Sequence, residues 1–232
     1  MTTVLVTRPA GQEQVLVQAL RARGFDVLHR PALAIEPLTP APQEQALLAR
    51  LAQQQLIIVV SANAARLLPE HADLAAARHS HWLAVGQATA EALAELGLPV
   101  RVPPAGSSSE ALLAMPLLQA VHGLQIAILA GEGGRDTLAE ELSARGARVQ
   151  SVALYRRTCD AQFSWPTQPV DIVMVTSLQG WRCLAGQVPA TVTVLAGSER
   201  IAQQIRAEHP GEVISADSPM DSAMLAALET LS

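Results

Sequence analysis

A chain of 232 residues, 50% apolar and 16% charged, carries ample material for buried cores and has none of the composition of a disordered polymer. Its net charge of −5, with Lys and Arg scattered singly, excludes an extended basic face of the kind that neutralises a phosphate backbone, so no nucleic acid partner is expected. No basic segment precedes the first apolar run, and no apolar run reaches the ~20 residues that span a bilayer, which points to a soluble cytoplasmic protein without membrane contact.

From the N terminus onward, short apolar runs alternate with helical patterns. Residues 3–7, 25–29, 56–60, 82–85, 100–102, 126–130, 149–152, 171–175, 192–195 and 213–215 read as strands. Such alternation argues for parallel sheets covered by helices on both faces, and ten strands divide into two five-stranded sheets. The segment 12–23 reads as an amphipathic helix with Val15, Leu16, Ala19 and Leu20 inward, and 137–145 as one with Leu138 and Leu142 inward. Gly24 and Gly146 follow these helices where a left-handed residue closes the last turn.

An internal repeat relates the two halves. At constant offset Leu16 matches Leu138, Leu20 matches Leu142, Arg23-Gly24 matches Arg145-Gly146 and Val27 matches Val149. Downstream, VVSANAARLL around Ser61 resembles VTSLQGWRCL around Ser177, and AVGQATAEAL around Gly86 resembles LAGSERIAQQI around Gly197. A proline-rich break at 31–42 and a polar one at 158–169 follow the two matched βαβ segments. If the first leads into a second domain and the second leads back, residues 1–32 with 161–232 form one discontinuous domain and 39–151 the other. The stretches 33–38 and 152–160 are then crossover strands lying side by side.

Cys159 and Cys183 form no CxxC pair and have no His at metal-ligand spacing, so they are expected to be reduced thiols, and structural zinc is not expected. The six histidines sit singly or in a polar loop, no Ser occupies a G-x-S-x-G elbow, and GEGGRDT at 131–137 lacks both the P-loop Lys and the dinucleotide spacing. No metal or organic cofactor is therefore expected. With only six aromatic residues, stacking is not the main source of affinity for a ligand.

Polar residues do recur where a strand ends and the next helix begins: Thr7-Arg8, Ser61-Ala62-Asn63, Gly86 with Thr89, Gly133-Gly134-Arg135, Thr176-Ser177, and Ser198 with Arg200. Each is explained by helix capping alone. As a set they lie along one edge of each sheet, where helix N-termini offer free N–H groups suited to anions.

VTRPAGQ, VVSANAAR, AVGQATAEALAELG, GRDTLAEELSARGARVQSVALYRR and VMVTSLQGW, in this order, resemble the uroporphyrinogen-III synthase family from Val4 to about Leu228. The resemblance implies two flavodoxin-like parallel-sheet α/β domains joined by a two-stranded β-ladder hinge. It implies a monomeric, cofactor-free enzyme that closes linear hydroxymethylbilane, with loss of water and inversion of ring D, in the interdomain cleft. A transient contact with the preceding pathway enzyme stays open.

Tyr155, the sole tyrosine, matches the family's cleft tyrosine, and the resemblance implies that its phenol assists departure of hydroxide. Packing of a hinge strand is the alternative role. Thr89 matches the threonine of the family's G-x-x-T-A turn, while Arg200 stands where a threonine is often found in the second copy. Arg8 and Arg200 suit carboxylates. A non-catalytic, hinge-type binder of a small ligand or tetrapyrrole is the competing function.

Overall fold

A computed structural model describes residues 1–134 and 136–230. The chain divides into two compact units, one built from Met1–Ala34 with Thr158–Ser232 and the other from Ile35–Arg157.

In the first unit β1 (Thr3–Val6), β2 (Asp26–His29), β9 (Ile172–Val175), β10 (Thr193–Ala196) and β11 (Val213–Ser215) form a sheet in the order β11-β10-β9-β1-β2, every pair parallel. A strand such as IVMV is apolar throughout because helices cover both of its faces. On one face Val4, Val6 and Met174 meet α1 (Gln14–Ala22) and α9 (Asp221–Glu229) through Leu16, Leu20 and Met224. On the other, Leu5, Val173 and Val175 meet α7 (Leu178–Leu184) and α8 (Glu199–Glu208) through Trp181, Ile201 and Ile205. Renumbered within the unit, the order is 2-1-3-4-5, and the helix after β1 and the helix after β9 leave toward opposite faces.

The sheet of the second unit runs in the order β3-β8-β7-β4-β5-β6, with β4 (Leu56–Val59), β5 (His81–Ala84), β6 (Val100–Arg101) and β7 (Gln125–Gly131) wholly in that unit, while β3 (Leu33–Pro37) begins and β8 (Arg148–Cys159) ends in residues of the first unit. Its helices are α2 (Pro42–Leu48), α3 (Ala62–Leu67), α4 (Gln87–Glu95), α5 (Ser109–Leu113) and α6 (Thr137–Ala144). One face of the sheet buries Leu47, Ala65 and Leu93 of α2, α3 and α4, and the other buries Leu112 and Leu142 of α5 and α6. Paired according to the sequence repeat, β7 answers to β1, β8 to β2, β4 to β9, β5 to β10 and β6 to β11. The two units therefore share one strand order, and the second is its circular permutation.

Several sequence expectations shift in detail. The strand expected at 149–152 and most of the crossover expected at 152–160 belong to one twelve-residue strand, β8. In α1 it is Val17, not Val15, that joins Leu16 and Leu20 in the core, and Val15 is 70% exposed. A 100° step per residue puts position 15 outside the arc set by 16, 17 and 20. Gly24 and Gly146 do take left-handed φ values of 85° and 83°. Among the described residues no helix is long and apolar enough to cross a membrane.

The expectation of reduced thiols is overturned: Cys159 and Cys183 form a disulfide within the first unit, with Cα atoms 5.3 Å apart. The bond ties the end of β8 to α7, a tertiary contact between residues 24 apart in sequence that no local motif announces. Closing a loop of that length is worth about 3 kcal/mol by chain entropy. The protein's denaturant midpoint should therefore drop on addition of dithiothreitol, and Cys183→Ser should reproduce the drop. A midpoint insensitive to reductant would mean that the bond is absent in solution.

Candidate active site

The second unit contains a cleft of about 650 Å³ at the carboxyl ends of β4 and β7. These neighbouring strands send α3 and α6 to opposite faces of the sheet, which opens a crevice between the two connections. Ser61, Gly131, Glu132, Gly133, Gly134, Tyr155 and Arg157 line it.

Tyr155 reaches this place because β8 alternates its side chains. Tyr155 and Arg157 share one face of the strand, and Arg156 points to the other. Arg156 lies 2.8 Å from Glu36, whose hydrogen bond and charge hold its guanidinium still more firmly protonated. Arg157 instead donates from Nη2 to the Tyr155 phenol oxygen at 2.9 Å, and the same oxygen lies 2.8 Å from Ser61 Oγ. The Tyr155 ring packs in the core beside Val152 and Leu154, and the residue is 1% exposed.

Gly131 makes this packing feasible. It ends β7 at a register shift that sets it opposite Tyr155, while Glu132 N–H donates to the Tyr155 carbonyl at 2.7 Å. A Cβ on Gly131 would lie 2.5 Å from Tyr155 Cζ and 2.8 Å from its hydroxyl. Only a residue without a side chain lets the ring lie against this backbone.

The other residues singled out by sequence fall at helix starts. Ser61 is the N-cap of α3, accepting from Asn63 N–H at 3.2 Å, with Ala62 as the first helical residue. Gly86 precedes α4, and a Cβ there would meet the Ser107 Cβ at 2.8 Å, so the loop before α5 packs directly on it. Thr89, in the first turn of α4, is 4% exposed. Gly133 has a φ of 71° in the turn before α6, and Gly134 follows it. Arg135 lies outside the described residues.

In the first unit Thr7 is buried and donates from its hydroxyl to the Met174 carbonyl at 2.7 Å, joining β1 to β9. Arg8 pairs with the Asp221 carboxylate and donates to the Pro219 carbonyl at 2.6 Å, so its fork is bound to the start of α9. Ser177 caps α7 through Gly180 N–H at 3.0 Å, Ser198 caps α8 through Ile201 N–H at 3.4 Å, and Arg200 is exposed on the first turn of α8. Thr176 precedes Ser177, with its Cα 3.2 Å from where a Cβ on Gly197 would be. Because these hydroxyls cap helices, Ser177→Ala and Ser198→Ala should each cost about 1 kcal/mol of stability and change turnover less than tenfold. Abolished turnover in a folded variant would assign that serine a chemical role.

Arg157 and Gly131 escaped the sequence reading. The first was visible only as the last residue of LYRR, and the strand period of two would have placed it beside Tyr155. The second has no sequence signal, since its glycine is required by a long-range approach and not by a turn. Among the described residues no group of His, Cys, Asp or Glu could hold a metal ion. The lining also includes the carboxylates of Glu44, Glu110, Glu132 and Asp136, so this cleft is not a basic trap for anions.

The family model of uroporphyrinogen-III synthase HemD matches residues 14–226. The chain belongs to the uroporphyrinogen-III synthase family. It is 30% identical over 245 residues to the uroporphyrinogen-III synthase of Escherichia coli, covering 98% of this chain and 100% of that one. With the enzyme of Synechococcus elongatus it shares 32% over 169 residues, 69% of this chain and 62% of the relative. In fold it is similar to uroporphyrinogen-III synthetase from Helicobacter pylori, at a TM-score of 0.67 and 14% identity over 100% of both chains. A mutant synthase from Thermus thermophilus superposes at a TM-score of 0.62, with 21% identity over 99% of this chain and 98% of that one.

Proposed function

We propose that the protein is a uroporphyrinogen-III synthase that converts hydroxymethylbilane into uroporphyrinogen III. The observation that carries this reading is the phenol of Tyr155, held between Ser61 and Arg157 in the wall of a crevice, in a chain of this family. In the proposed reaction the terminal C–O bond of the bilane breaks with help from a proton donor, and the azafulvene attacks the substituted position of ring D. The spiro intermediate then opens and recloses with that ring inverted, and water is the by-product.

The two units are proposed to be domains that close on the substrate about a hinge formed by the crossover stretches 33–38 and 152–160. The substrate's carboxylates would be taken by free N–H groups at the starts of α3, α4, α6, α7 and α8, since helix N-termini carry partial positive charge. Arg200 would add a cationic side chain to this set, and Arg8 would contribute only the donors not bound to Asp221. Glu110, Glu132 and Asp136 suit the other half of the substrate: carboxylates accept pyrrole N–H groups and favour the positive charge that develops as hydroxide leaves.

Action as a monomer in the cytoplasm, without metal or organic cofactor, is part of the proposal. Glutathione there would keep Cys159 and Cys183 reduced, so the reduced protein must retain its turnover. Incubation with freshly generated hydroxymethylbilane tests the activity. The type III isomer should exceed the type I product that forms spontaneously, and type I alone would leave a binding protein of the same fold.

A further inference from the structure

We propose that Ser61, not Tyr155, hands the proton to the departing hydroxyl, and that Arg157 is the positioning residue that sets the direction of the chain Arg157, Tyr155, Ser61. This rests on the activity proposed above and deepens it at the same site.

The direction follows from donor and acceptor capacity. A guanidinium has donors only, so at 2.9 Å the Tyr155 oxygen accepts from Arg157 Nη2. The phenol keeps one proton, and among the described residues its other contact is Ser61 Oγ at 2.8 Å. The reverse polarity would strand a phenol proton in a residue 1% exposed, where water does not replace a missing acceptor. Ser61 Oγ therefore accepts from Tyr155, and it also accepts from Asn63 N–H at 3.2 Å. With both lone pairs used, its remaining resource is its own proton. Both residues line the cleft, but Ser61 is half-buried and open to it, whereas Tyr155 is 1% exposed with the Gly131 backbone against its ring.

The electron pair of the breaking C–O bond leaves with oxygen, and the Ser61 hydroxyl gives that oxygen a proton, making water. Ser61 Oγ takes the phenol proton, and the phenolate stays hydrogen-bonded to the Arg157 guanidinium. The proton released from the pyrrole carbon when the macrocycle closes and regains aromaticity returns through Ser61 to the phenolate.

Initial rates with fresh hydroxymethylbilane, with thermal melts to verify folding, test this. Ser61→Ala should lower kcat by roughly 10²-fold, and Ser61→Asn, which keeps a capping acceptor but no transferable proton, should do the same. Ser61→Thr should retain most of the rate. The double variant Ser61→Ala/Tyr155→Phe should be no slower than Ser61→Ala, because groups acting as one chain are lost together. Arg157→Met should lower kcat with KM changed less than about twofold, Arg157→Lys should recover part of the loss, and Arg157→Met should add nothing in the Tyr155→Phe background. Wild-type kcat in Ser61→Ala, multiplying losses in the double variant, or a raised KM with intact kcat in Arg157→Met would each overturn the inference. The broader assignment fails separately, if the wild-type protein yields no excess of type III product.

Discussion

Tyr155→Phe should lower the turnover number by roughly 10²-fold, the low end for a positioned proton donor, while the fold survives. The substitution keeps a ring that packs beside Val152 and Leu154 and removes one oxygen. That oxygen bridges Ser61 and Arg157. Arg157 is exposed, so water can replace its lost acceptor, and Ser61 still caps α3 through Asn63. Stability should therefore fall by no more than about 1 kcal/mol, a shift of a few degrees in melting temperature for a chain of this size. The isomer ratio separates two parts of the catalysis. If the cleft still selects the conformer that leads to ring inversion, the residual product remains type III while its rate drops. Wild-type turnover in the phenylalanine variant would remove the phenol from the mechanism.

What the sequence disclosed followed periodicity and repetition. Fully apolar runs such as LIIV and IVMV announce strands with both faces covered, and their alternation with amphipathic helices leads to parallel sheets. The matched pairs Ser61 with Ser177 and Gly86 with Gly197 fall at equivalent helix starts in the two units, so the repeat holds in space as well as along the chain. What stayed hidden depends on contacts between distant residues. Arg8 looks like a carboxylate ligand until Asp221, 213 positions away, is found against it. Cys159 and Cys183 look like unrelated thiols until the end of β8 is packed on α7. Thr7 and Ser177 carry the same polar signal at strand-to-helix junctions, yet one hydroxyl stitches two strands and the other caps a helix.

Gly131→Ala should be at least as damaging as removal of the phenol, and for a different reason. Its φ is not left-handed, so alanine carries no backbone penalty there, and the cost is wholly steric. An added Cβ 2.5 Å from Tyr155 Cζ forces either the ring or the end of β7 to move. The ring is packed among Val152, Leu154 and Val59, and the strand end is fixed by the Glu132 bond to the Tyr155 carbonyl, so neither yields freely. Overpacking of this kind costs about 1–3 kcal/mol. A displacement of the phenol by about 1 Å from Ser61 and Arg157 is enough for a loss on the order of 10²-fold in turnover. Gly133→Ala is the control: its φ of 71° brings strain, but nothing lies within 4 Å of the added atom, so stability should fall by about 1 kcal/mol with the Tyr155 geometry intact. A second comparison isolates the clash itself. In a Tyr155→Ala background the ring is gone, and Gly131→Ala should then cost no stability. If it costs as much there as in the wild-type protein, the glycine serves β7 alone, and the close approach of ring to backbone is not what requires it.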